Sequence, residues 1–281
     1  IFQRDTKDML GPGLDFPDMF GASAPQTNNA RMRNRGWELS LNWRGKIGND
    51  INYSVGGSLS DATAEVTEYA NPTGTNPAGN WYVGRKVGEI WGYRAEGIIQ
   101  TQAEADEYNK YDLSYLSGKA WEPGDVKYVD LNGDKAINRG KNTLEDMGDM
   151  TIIGNTTPRY QYTFNGSISW KDLSLSMMFQ GVGKRDWDPG TAPYFWGSGA
   201  YAQVTVFNEH MDYWREDNPN AYYPKPYIHS AGGVTPFRNK IMQTSDRYLQ
   251  SGAYCRLKNI TLSYNLPTSW VQKAGLQKVQ V

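Results

Sequence analysis

The sequence predicts an all-β chain: one sector of a large antiparallel transmembrane β-barrel with long loops at one end. Three observations lead there. Apolar residues recur at every second position in several stretches, with aromatic residues at the ends of each stripe. Short and long connections alternate along the chain. The strands are also too few to close a barrel by themselves.

The clearest stretch is Tyr160 to Gln180. Tyr160, Tyr162, Phe164, Ile168 and Trp170 take one side, and Gln161, Thr163, Asn165, Ser167 and Ser169 take the other. After Lys171-Asp172 the pattern resumes with Leu173, Leu175, Met177 and Phe179. A two-residue connection makes this a hairpin, pairing Trp170 with Leu173, Ile168 with Leu175 and Phe164 with Phe179. The ten steps from Tyr160 to Trp170 span about 33 Å. Tilted by about 40°, they cover about 25 Å, the height of an outer-membrane apolar band with its aromatic girdles. A second stretch follows the same pattern. Trp37, Leu39, Leu41 and Trp43 lead into a turn at Lys46–Asp50, and Ile51, Tyr53, Val55 and Leu59 return. A five-residue loop would pair Trp43 with Tyr53 and Leu41 with Val55. Tyr254–Leu266 alternates again, with Leu257 on the wrong parity, which predicts a bulge. Gln277–Val281 begins a further strand.

Between these lie long insertions. Residues 1–33 read as loop, punctuated by Gly11, Pro12, Gly13, Pro17, Gly21 and Pro25. Residues 63–158 contain strand-like pieces broken by Gly88, Gly92 and Gly97. They also hold a helix signal at Thr101–Tyr111, with Thr101 as N-cap and Glu104 at the capping-box position. Residues 183–246 are rich in Trp, Tyr, Pro and Gly. Residues 34–62, 159–182 and 247–281 are then the membrane strands with short periplasmic turns, and 1–33, 63–158 and 183–246 the long extracellular loops. Five strands and the start of a sixth are legible. A closed barrel needs about eight or more, and an open edge in lipid is not viable.

Composition removes other classes. The 281 residues carry a net charge of −1, so no global field recruits nucleic acid. Cys255 is the single cysteine, and the two histidines, His210 and His229, stand apart, which excludes a disulfide framework and a Cys- or His-based metal centre. No apolar run approaches the ~18 residues of a spanning helix. The opening IFQRDT has neither initiator Met nor leader, so the chain reads as a piece of a longer protein.

Five stretches carry a family resemblance: NNARMRNRGWELSLNW (28–43), VGRKVGEIWGYRAEGIIQT (83–101), PGDVKYVDLNGDKAIN (123–138), IGNTTPRYQYTFNGSISWKDLSLSMMFQGVG (153–183) and RLKNITLSYNLP (256–267). Together and in this order, they resemble the C-terminal part of the barrel in SusC/RagA-family TonB-dependent transporters, the outer-membrane nutrient importers of Bacteroidetes. The resemblance implies a 22-stranded barrel, with residues 1–281 as a C-terminal barrel segment. It also implies a plug and TonB box in N-terminal segments, a SusD-like surface lipoprotein capping the barrel, and import powered through the TonB complex. The cargo would be an oligosaccharide or peptide, and the chain would not be an enzyme.

Two groups of residues are candidates for function. Asp130, Asn132, Asp134 and the Ala136 carbonyl occupy positions 1, 3, 5 and 7 of a calcium-type loop. Lys135 and Lys141 replace its Gly and final Glu, so a missing acid would have to come from Glu145, Asp146 or Asp149. A metal-free Asx-rich turn is the alternative. Trp187, Tyr194, Phe195, Trp196, Trp214, Tyr222 and Tyr223 form an aromatic set that suits a glycan or the lipoprotein partner; packing of the loop on itself is the alternative. Glu38, Ser40 and Arg44 fall on the side opposite the apolar stripe and would line the lumen. A second reading of the whole chain is a secreted β-sandwich glycan-binding or glycan-degrading protein with a structural calcium, in which a second sheet covers the apolar stripe.

Overall fold

The computed structural model describes residues 1–13, 19, 21, 25–197, 206–227 and 239–281. Six strands form one antiparallel sheet. They are β1 (Phe2–Gly11), β2 (Thr27–Ile47), β3 (Ile51–Glu68), β8 (Arg159–Trp170), β9 (Leu173–Lys184) and β12 (Tyr254–Tyr264), and they pair in that order. The first insertion holds β4 (Glu89–Tyr93), β5 (Ala95–Ile98), α1 (Gln102–Tyr108), β6 (Val126–Tyr128) and β7 (Met150–Asn155); the second, which in the structure runs from the end of β9 to the start of β12, holds β10 (Asp186–Trp187) and β11 (Gln250–Ser251), and short helical turns lie at Pro193–Trp196, Asn208–Met211, Thr268–Val271 and Gln272–Ala274. Among the described residues no helix is long and apolar enough to cross a membrane.

Side-chain alternation gives the sheet two unlike faces. One carries Leu39, Leu41 and Trp43 of β2, Val55 and Leu59 of β3, Phe164, Ile168 and Trp170 of β8, Leu173 of β9, and Ile260, Leu262 and Tyr264 of β12. All of these are exposed, Trp43 and Leu262 to 68% and 65%. No second sheet covers them among the described residues, as the sandwich alternative would require. An apolar band left open over five neighbouring antiparallel strands is the outer wall of a barrel sector. The opposite face carries hydroxyl and amide ladders. Ser54 meets Ser167 at 3.0 Å, and Ser58 meets Thr163 at 2.6 Å.

The β8–β9 hairpin has the register expected of it: Trp170 faces Leu173, Ile168 faces Leu175 and Phe164 faces Phe179. The connection is two residues, with Lys171 at φ 51°. The β2–β3 register differs from expectation. Trp43 faces Val55 and Leu41 faces Gly57, because the strands run on to Ile47 and Ile51 and leave only residues 48–50 as the turn. The slip is two residues, so each side chain keeps its face. It also brings Tyr53 opposite Gly45, where a Cβ would sit 2.5 Å from the Tyr53 hydroxyl. The ring lies across the glycine and accepts a hydrogen bond from the Trp43 indole at 3.3 Å. Tyr162 covers Gly181 in the same way near the other end of the band. The bulge anticipated at Leu257 is present, between Leu257 and Asn259.

Residues 1–33, expected as loop, contain β1 and the start of β2, and β3 runs on to Glu68. Beyond the apolar band a strand has no greasy side to reveal it. Ladder hydrogen bonds hold this part, with Arg33 on Asp5 at 2.7 Å and Arg31 on Glu68 at 2.8 Å. At the far end, Tyr264 and Val281 exchange backbone hydrogen bonds of 2.8 and 3.0 Å and Asn265 bridges Gln280, so the closing residues form an isolated bridge beside β12 in place of the strand expected at Gln277–Val281.

The two long insertions fold together as one lobe. β4 pairs with β7, β10 pairs with β11, and Tyr93 bridges to Ser245. Their shared core joins Tyr93, Tyr108, Trp121, Tyr128 and Met150 from the first insertion to Trp196, Ile241 and Tyr248 from the second. The expected helix is α1, where the Thr101 hydroxyl accepts from the Glu104 N–H at 3.2 Å. Glu104 reaches back to the Gln100 N–H at 2.9 Å rather than to Thr101.

The two faces make opposite demands on a charge. Leu41→Arg is expected to lower the unfolding free energy of the folded protein in detergent by about 2–4 kcal/mol. Ser40→Arg, one residue away on the polar face, should stay within about 0.5 kcal/mol. Denaturant titration of both variants measures this, and equal losses would contradict the assignment of faces.

Candidate functional site

The lobe is held by a buried ion pair. Lys240 and Asp125 are both fully buried, with Nζ 2.7 Å from the Asp125 carboxylate. The same ammonium donates to the Ala120 carbonyl at 2.6 Å and to the Tyr227 hydroxyl at 3.1 Å. Tyr227 in turn donates to Asp125, and the Glu122 N–H caps the other carboxylate oxygen at 2.8 Å. Both charges are therefore paired and hydrogen-bonded, the condition under which burial is tolerable. Burial and the adjacent carboxylate push the Tyr227 phenol well above its ordinary range, so it stays a donor. The sequence gives no local sign of this pair, whose members lie 115 residues apart.

Most of the aromatic set packs inside the lobe. Phe195 and Trp196 are buried. Trp196 meets Tyr248 edge-on at 4.8 Å and donates its indole N–H to the Gly190 carbonyl at 2.7 Å. Tyr223 is half-buried between Phe195, Tyr222 and His210. Trp214 is buried with Ile98 and Ala221, and donates to the Gln100 side chain at 2.9 Å. Three members remain at the surface. Trp187 and Tyr194 stack with ring centroids 6.2 Å apart and planes 13° from parallel, and Tyr194 is 60% exposed. Tyr222 is exposed and accepts from Gln250 at 2.7 Å. The structure thus divides the seven residues into a core and a small outward aromatic face.

The Asp130 loop is closed by its own backbone. Asp130 accepts from the N–H groups of Gly133 and Lys135 at 2.7 and 2.9 Å. Asn132 accepts from the Asp134 N–H at 3.0 Å, and Asp134 from the Ala136 N–H at 2.8 Å. Lys135 takes a positive φ of 63° at the loop's tightest point, where calcium loops carry Gly. Asp149 is fully buried, and its two oxygens accept from the Leu131 and Asn138 N–H groups at 2.8 and 2.9 Å, tying the two ends of the loop. Burial, with Asp130 and Asp134 nearby, holds its carboxyl above the usual range. Among the described residues no three acid, His or Cys side chains gather as a metal-holding group.

Glu38, Ser40 and Arg44 lie on the polar face, as their parity requires. Arg44 and Lys46, with Asn52, Ser54, Ser167 and Ser169, line a shallow groove of about 570 Å³ near the short turns.

Comparison with known proteins bears out the resemblance. No protein-family model matches the chain. Over 98% of its length it is 27% identical to TonB-dependent receptor P3 of Formosa agariphila, and over 99% it is 25% identical to TonB-dependent receptor P26 of the same organism. It spans 26% of the length of each of these relatives. Among solved structures, the RagAB peptide transporter superposes over 99% of the chain with a TM-score of 0.64 at 22% identity. The RagAB peptide importer in its "closed-closed" state does so with a TM-score of 0.62 at 21% identity. In both cases the chain covers 28% of the solved one. The fold is that of a barrel-wall sector with its long loops.

Removing one half of the buried pair strands the other. Lys240→Met is expected to destabilise the lobe by about 3–5 kcal/mol. The Asp125→Asn/Lys240→Met double variant should cost less than the single one. Limited proteolysis of the insertions, followed by a double-mutant cycle, checks both statements; a Lys240→Met lobe as resistant as the wild type would remove the pair from its role.

Proposed function

We propose that the chain is part of the barrel of an outer-membrane importer. It would take up an oligosaccharide or peptide nutrient, work with a SusD-like surface lipoprotein, and draw its energy through a TonB complex. The observation that carries this reading is the two-faced sheet. An exposed apolar band backs a wall of Ser, Thr and Asn, and the similarity to TonB-dependent receptors runs from end to end of the chain. The long insertions then lie outside the cell and the short turns inside, the plan of outer-membrane barrels. The relatives are receptors and transporters, which supports a carrier role rather than an enzymatic one.

Within this reading the outward stack of Trp187 and Tyr194 is the contact for cargo or lipoprotein. Rigid exposed rings bury large area at small entropic cost. For the loop at Asp130 we infer a metal-free Asx-rich turn, supported by its internal hydrogen bonds; calcium is the competing reading. A rise in melting temperature on adding calcium at about 0.1–1 mM, abolished by Asp134→Asn, would restore it.

The test of function is uptake by cells carrying the complete protein. Deleting its gene should abolish growth on the cargo, and collapsing the proton gradient should stop uptake. Trp187→Ala/Tyr194→Ala should weaken cargo or lipoprotein binding about tenfold or more without changing heat-modifiable migration on a detergent gel. Growth unaffected by the deletion on every oligosaccharide and peptide source tried would refute the import reading.

A further inference from the structure

Above the apolar band, the outward face of β2 carries a column of arginines. Arg35, Arg33 and Arg31 continue the parity of Leu39 and Trp37, and the register from Met32 to Ile47 is unbroken. Two of the three are neutralised. Arg33 pairs with Asp5 and stands opposite Glu65, and Arg31 pairs with Glu68. Arg35 differs. Its neighbours across the strands are Gln3 and Thr63, both uncharged, and its guanidinium donates to the Gln3 side-chain oxygen at 2.8 Å. Of the two acids that flank Thr63 on the same face of β3, Asp61 is committed to Arg159 and Glu65 stands opposite Arg33. Among the described residues Arg35 meets no carboxylate within ion-pair distance. It is exposed and borders a recess of about 640 Å³ lined by Gln3, Trp37, Asp61 and Thr63.

Further down the same face, across β2, β3 and β8, an apolar groove of about 550 Å³ runs between Leu39, Leu41 and Trp43 on one side and Val55, Leu59 and Phe164 on the other. Its floor exists because Gly57, between Leu41 and Phe164, presents no side chain. A cation with an amide partner thus sits one outward pair above Trp37, in the girdle that marks the headgroup level. The chain-width apolar groove opens on the same face one outward pair further down, past Trp37 and Asp61.

We propose that the outward face of β2 and β3 binds a phosphorylated lipid of the outer leaflet. The phosphate lies on Arg35, with Gln3 and Thr63 beside it, and an acyl chain lies in the groove over Gly57. The charge complementarity is that of a guanidinium fork with a phosphate. Continuity with the apolar band selects a lipid rather than free phosphate. The proposal rests on the membrane placement argued above.

The experiment titrates the complete detergent-solubilised protein with short-chain phosphatidic acid, the phosphate-free diacylglycerol of the same chains and inorganic phosphate, with binding followed by native mass spectrometry. Phosphatidic acid is expected to bind at least about tenfold more tightly than either of the others, since charge-assisted bonds to Arg35 are lost without the phosphate or unsupported without the chain. Arg35→Gln should erase that preference. Thr63→Glu, which leaves Arg35 in place but gives it a carboxylate, should do the same. Arg256→Gln, on the polar face of β12, should leave it intact. Equal binding of the two lipids, an unaffected Arg35→Gln protein, or competition by inorganic phosphate at the same concentration would each overturn the proposal. Loss of heat-modifiable migration in the wild type would instead overturn the membrane placement itself.

Discussion

Everything in this chain follows from the cost of an unpaired backbone group in hydrocarbon. Each N–H or C=O left without a partner there costs several kcal/mol. The sheet from β1 to β12 answers with a continuous antiparallel ladder, in which the connection across the band between β8 and β9 shrinks to two residues. Period-two side chains then follow from the pleat, and the two solvents sort them. The exposed Leu, Ile and Trp side chains on one face would be an aggregation hazard in water; in lipid they are the stable arrangement.

The lobe obeys the opposite rule. Its irregular backbone cannot lie in lipid, so it is built in water around its own core, with its fully buried charged side chains held by partners. Asp125, Lys240 and Tyr227 do this by mutual pairing, and Asp149 by accepting two backbone N–H groups at the neck of a loop. Such networks stabilise only when complete. This explains why the most buried polar residues of the protein sit in the insertions and not in the wall. Asp61 and Arg159 mark the transition, pairing where β3 and β8 leave the band and approach the lobe.

The aromatic residues serve both environments. Tyr53 and Tyr162 lie across Gly45 and Gly181, which closes the wall where a glycine would leave a gap. In the lobe, rings from residues 195 to 248 meet edge-on and fill the core. Among the seven candidates, Trp187, Tyr194 and Tyr222 turn outward, the first two as a stack. An aromatic-rich insertion therefore presents a small, rigid contact surface in place of a broad one.

The sequence by itself determined the two faces. Alternation over Tyr160–Gln180 gave the hairpin, its register and the exposed band, because side-chain direction in a strand depends only on parity. It also marked the bulge at Leu257 and the cap at Thr101. Tertiary structure decided what depends on partners. The β2–β3 pairing moved by two residues, a shift that parity cannot detect. β1 was invisible because, beyond the band, water wets both sides of a strand and no alternation is needed. The division of the aromatic set into buried Phe195, Trp196 and Trp214 and outward Trp187 and Tyr194 was equally hidden, as was the pairing of Asp125 with Lys240. Those fates are set by contacts between two insertions far apart in the chain, and no local pattern encodes which ring or charge another segment will cover.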